Sequence, residues 1–282
     1  MIKDVLKGKV RDGVLESISN GFDVIGDAAI IKLPTGLRRT EEKLVADAVM
    51  HENRHITRVF KKTGKTEGRE RIPSLAWVAG KKDTLVKHKE NGCSFAVDIK
   101  GVFFTPRLGS ERKRVVAMVK PGETVLDMFC GVGPYTIPVA KKAHEVYAID
   151  INPKAIELLK ENLVRNKIRN VKTFRGDSKK LVPKLEAKFD RIIMNFPLAA
   201  ESFLPYALKA AGKRTAVHMY TFLNTKEGYT AAVKTEEVKV KKLISKSFAL
   251  ESIIPIRAGE VAPFLVRECF DISVRSKKRG TL

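Results

Sequence analysis

Apolar and polar positions along the chain form short runs broken by glycine and proline, with stretches of helical period between them. Phe22 to Leu33 reads as two short apolar strands around a turn at Gly26-Asp27, and Pro34 and Gly36 end the second. Thr40 to Met50 reads as a helix. Thr40 can cap it, Glu41 and Glu42 suit its first turn, and Leu44, Val45, Ala48 and Val49 form an apolar stripe. Ile56, Val59 and Phe60 predict an edge strand, followed by a glycine-bearing basic loop. Thr84 to Lys89 and Ser94 to Ile99 predict a hairpin turning at Asn91-Gly92. Pro106-Arg107 breaks the extended run from Gly101, and Ser110 is placed to cap a helix over Glu111 to Val119.

From Thr124 the pattern becomes strand, glycine turn, helix, strand. Val125 and Leu126 begin a buried strand ending at Asp127, and Gly131, Gly133 and Pro134 force a tight turn where backbone passes close to a ligand. Thr136 to Lys142 fits a helix, and Val146 to Ile149 a second strand with Asp150 at its tip. Asn152-Pro153 is a helix start, with Ile156, Leu159 and Leu163 recurring on one face. Further strands follow at Val171 to Phe174, Phe189 to Met194, Thr215 to Phe222 and Glu268 to Val274. Lys239 to Leu243 is a shorter candidate, and Phe203 to Ala211 is a helix. This half is α/β and doubly wound. The expected division is residues 1–92 for an N-terminal α+β module and 93–282 for the α/β domain.

The turn reads GVGP, with no Walker lysine, so a pyrophosphate cradle is not indicated. An acid at the second strand tip can accept both hydrogen bonds of a ribose diol, which gives Asp150 its expected role. Asp127 would repel phosphate and suits a cationic ligand. S-adenosylmethionine, with sulfonium and ammonium groups, fits; another adenosine ligand on a generic turn is the alternative. Asp177, after Gly176, either receives an adenine amino group or is a simple turn aspartate. Asn195, held extended before Phe196-Pro197, presents its amide at the carboxyl edge of the sheet.

Charge narrows the partner. The chain of 282 residues carries a net charge of +22, which favours a polyanion, nucleic acid before membrane. A lysine-rich surface set by genome-wide composition is the bland alternative. Asn53 to Arg71 holds seven Lys/Arg against two Glu. Within it Lys61, Lys62 and Lys65 are candidate phosphate contacts, or merely a solvated loop. No apolar run reaches membrane-spanning length, and the N-terminus does not read as a signal peptide. Cys93, Cys130 and Cys269 lack CxxC spacing, which argues for a reducing compartment without disulfides or a zinc site; no metal is expected. Arg107, Glu111, Arg112 and Arg114 cluster where a helix begins. A carboxylate among arginines is usually a surface salt bridge, though this helix leads directly into the strand at Thr124.

DMFCGVGPYTIPVA, YAIDINPKAIELLKENLVRNK and RIIMNFP, with VFFTPRLGSER and HKENG upstream, resemble the archaeal and eukaryotic tRNA (guanine-37-N1)-methyltransferases. The likeness runs from about Phe22 to the C-terminus. It implies a Rossmann-like class I methyltransferase domain beside a smaller N-terminal α+β RNA-binding domain. Only some 20 residues precede GFDVIGD, so a short form without the family's additional N-terminal domain is expected, leaning more on the anticodon arm. By the resemblance Glu111 is the general base at guanine N1. Arg71, with Arg69 as competitor, holds O6, and Asn195 and Pro197 grip the guanine edge. Phe103 stands where an aromatic packs on the base, and Arg107 and Arg112 join the substrate contacts. The expected cofactor contacts are Asp127, Phe129, Gly131, Gly133, Pro134, Tyr135, Asp150, Ile151, Asp177 and Asn195, around S-adenosyl-L-methionine. Phenylalanine between Asn195 and Pro197 departs from the family's usual leucine.

The resemblance implies methylation of guanine 37 by a cytoplasmic monomer acting on tRNA. A wyosine-pathway enzyme acting at the same nucleotide is the nearest rival; the aminocarboxypropyl-transferring members replace the NxP kept here. A non-catalytic RNA-binding protein would not need Asp127, Asp150 and Asn195 together at strand tips.

Overall fold

A computed structural model describes residues 2–19, 21–64, 68, 70–245 and 248–277. The chain divides into two compact units, Met1–Arg107 and Leu108–Leu282. The expected boundary at residues 92/93 falls on a hairpin tip inside the first unit.

The first unit runs α1 (Ile2–Leu6), α2 (Asp12–Ser17), β1 (Asp23–Ile25), β2 (Ala28–Ile31), α3 (Arg39–Glu52), β3 (Arg58–Lys62), β4 (Leu75–Gly80), β5 (Leu85–Glu90) and β6 (Cys93–Asp98). Strands β1 to β4 form one sheet in sequence order, with β2 and β3 parallel and α3 between them in sequence. The strand expected at the edge, β3, is interior: it pairs with β2 on one side and β4 on the other. Helix α3 starts one residue before Thr40. Its N-cap is Arg38, whose backbone N–H donates to Glu41 at 2.9 Å. Glu41 also accepts two bonds from Arg11, which hold its carboxyl down to about 2. The β5–β6 hairpin turns through Asn91 and Gly92, both at positive φ, as the Asn-Gly pair requires.

The second unit continues with α4 (Gly109–Ala117), β7 (Thr124–Asp127), α5 (Thr136–Ala140), β8 (Glu145–Asp150), α6 (Pro153–Arg165), β9 (Val171–Arg175), α7 (Ser178–Leu181), β10 (Phe189–Met194), α8 (Ala200–Ala210), β11 (Ala211–Asn224), α9 (Tyr229–Ile244), β12 (Phe248–Ala262) and β13 (Leu265–Ser276). Seven strands form one sheet in the order β12-β13-β11-β10-β7-β8-β9. Pairings from β9 through β11 are all parallel, and β13 runs antiparallel to both its neighbours. The strand order reverses between β7 and β10, so the ligand crevice of a doubly wound sheet lies outside their carboxyl ends.

Three local expectations need correction. Ser110 lies within α4, whose N-cap is Leu108. Helix α5 stops at Ala140, two residues short of Lys142. The stretch expected as a strand at 239–243 belongs to helix α9: Val233, Val240 and Ile244 are buried on one side, while Val238 is 67% exposed. The seventh strand is β12, a long edge strand that Pro255 and Gly259 disguise in the sequence.

Alternation sorts the sheet's two faces. Ile192, Met194, Val217, Met219, Phe270 and Ile272 pack under α8 and α9 with Leu204, Leu208, Val233 and Val240. Ile193, Tyr220 and Cys269 face the opposite way, towards Val115 and Val119 around α4 and Tyr135 and Val139 around α5. Cys93, Cys130 and Cys269 are buried thiols. No helix among the described residues is long and apolar enough to cross a membrane.

Candidate active site

The carboxyl edge carries a polar residue at each of four successive strand tips: Asp177 after β9, Asp150 on β8, Asp127 on β7 and Asn195 after β10. The turn after β7 is stitched to both neighbours. Met128 N–H donates to the Ile193 carbonyl at 3.0 Å and Cys130 N–H to the Ile149 carbonyl at 2.9 Å. Asp150 braces the same turn from the side, accepting from Gly131 N–H at 2.7 Å and Asn152 N–H at 2.9 Å. At Gly133, φ is +93°, and a Cβ there would lie 2.6 Å from Leu159 Cδ1. Glycine is therefore dictated both by conformation and by the approach of α6.

Asp127 is 1% exposed. It accepts from the Thr136 hydroxyl at 2.7 Å and from Phe129 N–H at 3.4 Å. Burial pushes its carboxyl up to about 7, and Asp150 adds to the rise. A cation at the crevice would favour its ionised form. Asp177 caps α7 by accepting from Lys179 N–H at 2.9 Å, the turn role foreseen as its alternative. Asn152 caps α6 as its sequence indicates.

The tripeptide after β10 is held by aromatic packing. Phe196 stacks on Phe129 of the β7 turn, with centroids 5.0 Å apart and planes 25° apart, and both rings meet Phe203 of α8 edge-on. The phenylalanine between Asn195 and Pro197 thus ties the two loops flanking the switch point. Tyr135, expected at the cofactor, turns its side chain inward: it is 2% exposed and bonded to the Tyr220 hydroxyl at 2.7 Å.

Glu111 is buried. Arg114, one helical turn on, reaches both its oxygens at 2.7 Å, and the Tyr220 hydroxyl donates to Oε1 at 2.7 Å. The surface salt bridge considered from sequence is instead an enclosed one. Arg112, expected at the substrate, is enclosed at 1% exposure rather than presented to solvent. Sequence reasoning gave no role to Tyr220, His218 or Asp271, which reach this side of the sheet only through strand pairing. His218, Cys269 and Asp271 bring possible metal-ligand atoms within 4.8 Å of one another. Arg114 and His218 already bond Asp271, and Arg191 faces His218 Nε2, so that trio is engaged in hydrogen bonds.

In the first unit, Arg71 has φ +59° and its guanidinium lies 5.8 Å from the centre of the Phe103 ring. Phe103 is 37% exposed. Of the basic stretch, Lys61 pairs with Glu42, Lys62 with Asp23 at 3.3 Å, and Arg58 is buried against Asp27 at 2.7 Å. Arg107 also bonds Asp23, at 2.6 Å. Lys65 and Arg69 lie outside the described residues.

A doubly wound sheet, an acid-flanked glycine turn at its switch point and an asparagine-proline loop beside it define a Rossmann-like domain of the class I methyltransferase type. Comparison with known proteins narrows the class. Residues 86–247 match the TRM5/TYW2 methyltransferase domain, and residues 2–84 match the TYW2 N-terminal domain. The chain belongs to the TRM5/TYW2 methyltransferase family. It is 41% identical over 205 residues to the tRNA (guanine(37)-N(1))-methyltransferase Trm5b of Pyrococcus abyssi, covering 73% of this chain and 61% of that protein, about three-fifths of its length. The crystal structure of Trm5b from that organism superposes with a TM-score of 0.84 at 34% identity, covering 94% of this chain and 78% of that one. A complex of aTrm5 with tRNALeu superposes with a TM-score of 0.82 at 30% identity, covering 98% and 78%.

Proposed function

We propose that this chain is a tRNA (guanine(37)-N1)-methyltransferase that moves the methyl group of S-adenosyl-L-methionine to N1 of guanine 37 in the anticodon loop. The observation that carries the reading is the row of strand-tip groups on one carboxyl edge, Asp127, Asp150, Asp177 and Asn195, around a turn with Gly131 and Gly133 at positive φ. The relatives' activity and the aTrm5 complex with tRNALeu support the substrate.

In this reading Gly131, Gly133 and Pro134, with Phe129, Tyr135 and Ile151, would hold the cofactor. Asp150 takes the ribose diol, Asp177 the adenine amine, and the carboxylate of Asp127 favours the ligand's positive charge. Neutral guanine carries a hydrogen on N1 and has no lone pair there for attack. Glu111 accepts that proton, and a positioned base of this kind contributes ~10²–10⁴-fold. Arg71 stabilises the negative charge growing on O6. Asn195 and Pro197 hold the base edge, and Phe103 stacks on the ring. S-adenosyl-L-methionine held there would supply the methyl group to the deprotonated N1. Lys61, Lys62, Lys65 and Arg107 favour the polyanion, and the protein works as a cytoplasmic monomer.

The test is to incubate the purified protein with tRNA and S-adenosylmethionine, digest the product and identify the altered nucleoside. One methyl on N1 of guanine 37 is expected. An aminocarboxypropyl group, methylation only of a tricyclic wyosine precursor, or no change would each overturn the assignment.

A further inference from the structure

Glu111 stands at one end of a largely buried row of side chains in the second unit, with Arg114 and Asp271 partly exposed, whose donors and acceptors can be assigned outright. Arginine has only donors, so the 2.7 Å contact of Arg191 requires a lone pair on His218 Nε2. The proton of His218 therefore sits on Nδ1 and is donated to Asp271 Oδ1 at 2.6 Å. Burial pushes the imidazole down, in keeping with a neutral ring. Burial works against the Asp271 carboxylate, but the bonds from His218 and Arg114 outweigh it and hold the group well below the usual range.

Arg114 is shared between two carboxylates. Its Nε and one terminal nitrogen reach Glu111 at 2.7 Å, while its terminal nitrogens reach Asp271 at 2.5 and 3.2 Å. The far end of the row is anchored too. Arg191 grips Glu123 at 2.7 and 2.9 Å and donates to the Met118 carbonyl at the end of α4 at 2.7 Å. Lys142 reaches the carbonyls of Val116 and Ala117. The helix that carries Glu111 is thus tied by polar bonds to the sheet and to the turn after α5.

These bonds leave a specific vacancy on the carboxylate. Since Tyr220 donates to Glu111, Tyr135 must donate to Tyr220. Oε1 of Glu111 accepts from Arg114 and Tyr220, and Oε2 accepts from Arg114 alone among the described residues. A carboxylate offers about four lone-pair sites. The second site on Oε2 is the one left to receive a proton.

We propose that Asp271 is a positioning residue for the reaction: acting through Arg114, it aims the open lone pair of Glu111 Oε2 at the substrate proton. This rests on the reading of Glu111 as the base. A carboxylate at 271 suits four donors: His218 Nδ1–H, two N–H groups of Arg114 and, more weakly, the Cys269 thiol at 3.4 Å. Asparagine offers one oxygen, and its amino group would face at least one of those donors. Arg114 would then be held from one side only, and the carboxylate of Glu111 would lose its fixed plane. A misplacement of ~1 Å can cost about 10²-fold in rate.

The test measures single-turnover methyl transfer, with enzyme in excess over tRNA, for Asp271→Asn, Glu111→Gln and the double variant. Asp271→Asn should slow transfer by up to about 10²-fold while leaving the KM for tRNA and cofactor affinity unchanged. In the Glu111→Gln background the same change should have no further effect, because its only route to the rate runs through Glu111. Full activity of Asp271→Asn, or an equal loss in both backgrounds, would overturn the proposal. Wild-type activity of Glu111→Gln would instead overturn the reading of the base. Should Asp271→Asn fail to fold, Arg114→Lys serves. It keeps the charge but lacks the planar fork that fixes the geometry of two carboxylates, and its loss must likewise vanish with Glu111→Gln.

Discussion

The two faces of the seven-stranded sheet both bury apolar side chains, and they differ in the polar groups set among them. Under α8 and α9 the strands offer aliphatic and aromatic side chains, with Leu204, Met194, Met219 and Phe270 fully enclosed. Under α4 and α5 the same strands offer Arg191, His218 and Asp271, joined to Arg114 and Glu111. An apolar interface stabilises without directing, since hydrophobic burial has no preferred geometry. A row of buried charges is a weak source of stability but tolerates few alternative arrangements. The charged row lies where, in the proposed reaction, one carboxylate must point in one direction, and the opposite face where helices mainly cover a sheet.

Substitutions on the two faces should therefore separate cleanly. The largest effect belongs to Glu111→Gln: a loss of ~10²–10⁴ in methyl-transfer rate with S-adenosylmethionine affinity retained by calorimetry. Unchanged turnover would remove Glu111 from the chemistry and leave the polar face without a purpose. Leu204→Ala, at a position 0% exposed on the opposite face, should lower unfolding free energy by about 2–5 kcal/mol. The rate per folded molecule should not move. A variant of wild-type stability but reduced rate would show that the apolar face also directs chemistry.

What the sequence made legible follows the same division. Strand tips in a parallel sheet are read locally, because an apolar run ends in a single polar residue; Asp127, Asp150, Asp177 and Asn195 could be found that way. The row behind Glu111 could not, because its members at 114, 191, 218, 220 and 271 share a face only once β11 pairs with β10 and β13. The inward turn of the Tyr135 side chain was not legible for a related reason: proximity to the glycine turn in sequence does not say on which side of the turn a side chain falls. Within α9, Val238-Lys239-Val240-Lys241 alternates like a strand, and the helical stripe of Val233, Val240 and Ile244 emerges only over three turns. In β12, proline and glycine break the alternation that marks a strand. The basic stretch after Asn53 looked uniformly available to phosphate, yet Arg58, Lys61 and Lys62 have acidic partners from β1, α3 and the β1–β2 turn.

On the carboxyl edge, Asp150→Ala removes a carboxylate that braces two backbone N–H groups of the crevice and, in the proposed complex, meets the ribose diol. Hydrogen bonds to charged groups contribute ~1.5–3 kcal/mol, so S-adenosylmethionine affinity should fall by about 10- to 10²-fold. Undiminished affinity would mean that the ribose lies elsewhere.

The smallest effect is a pH dependence that marks Asp127 off from the carboxylates of the polar row. Among the described residues its partners are a hydroxyl and backbone N–H groups, with no cation, and burial raises it to about 7 from an ordinary value of 3.8. Between those values the folded chain holds a proton that the unfolded chain has released. Stability contributed by this group is therefore complete below pH 3.8 and declines as pH rises towards 7. Asp271 has the opposite sign: His218 and Arg114 hold it as a carboxylate, so its contribution is present above its ordinary value and lost only in acid. Thermal midpoints at pH 5 and pH 8 should fall more for the wild-type chain than for Asp127→Asn, and the two slopes should converge when S-adenosylmethionine is bound. A positively charged ligand near Asp127 favours the ionised form, so its binding should release a proton near pH 7, seen by calorimetry in buffers of different ionisation enthalpy. Equal slopes for the two proteins, with no proton released, would mean that Asp127 is already ionised without the ligand.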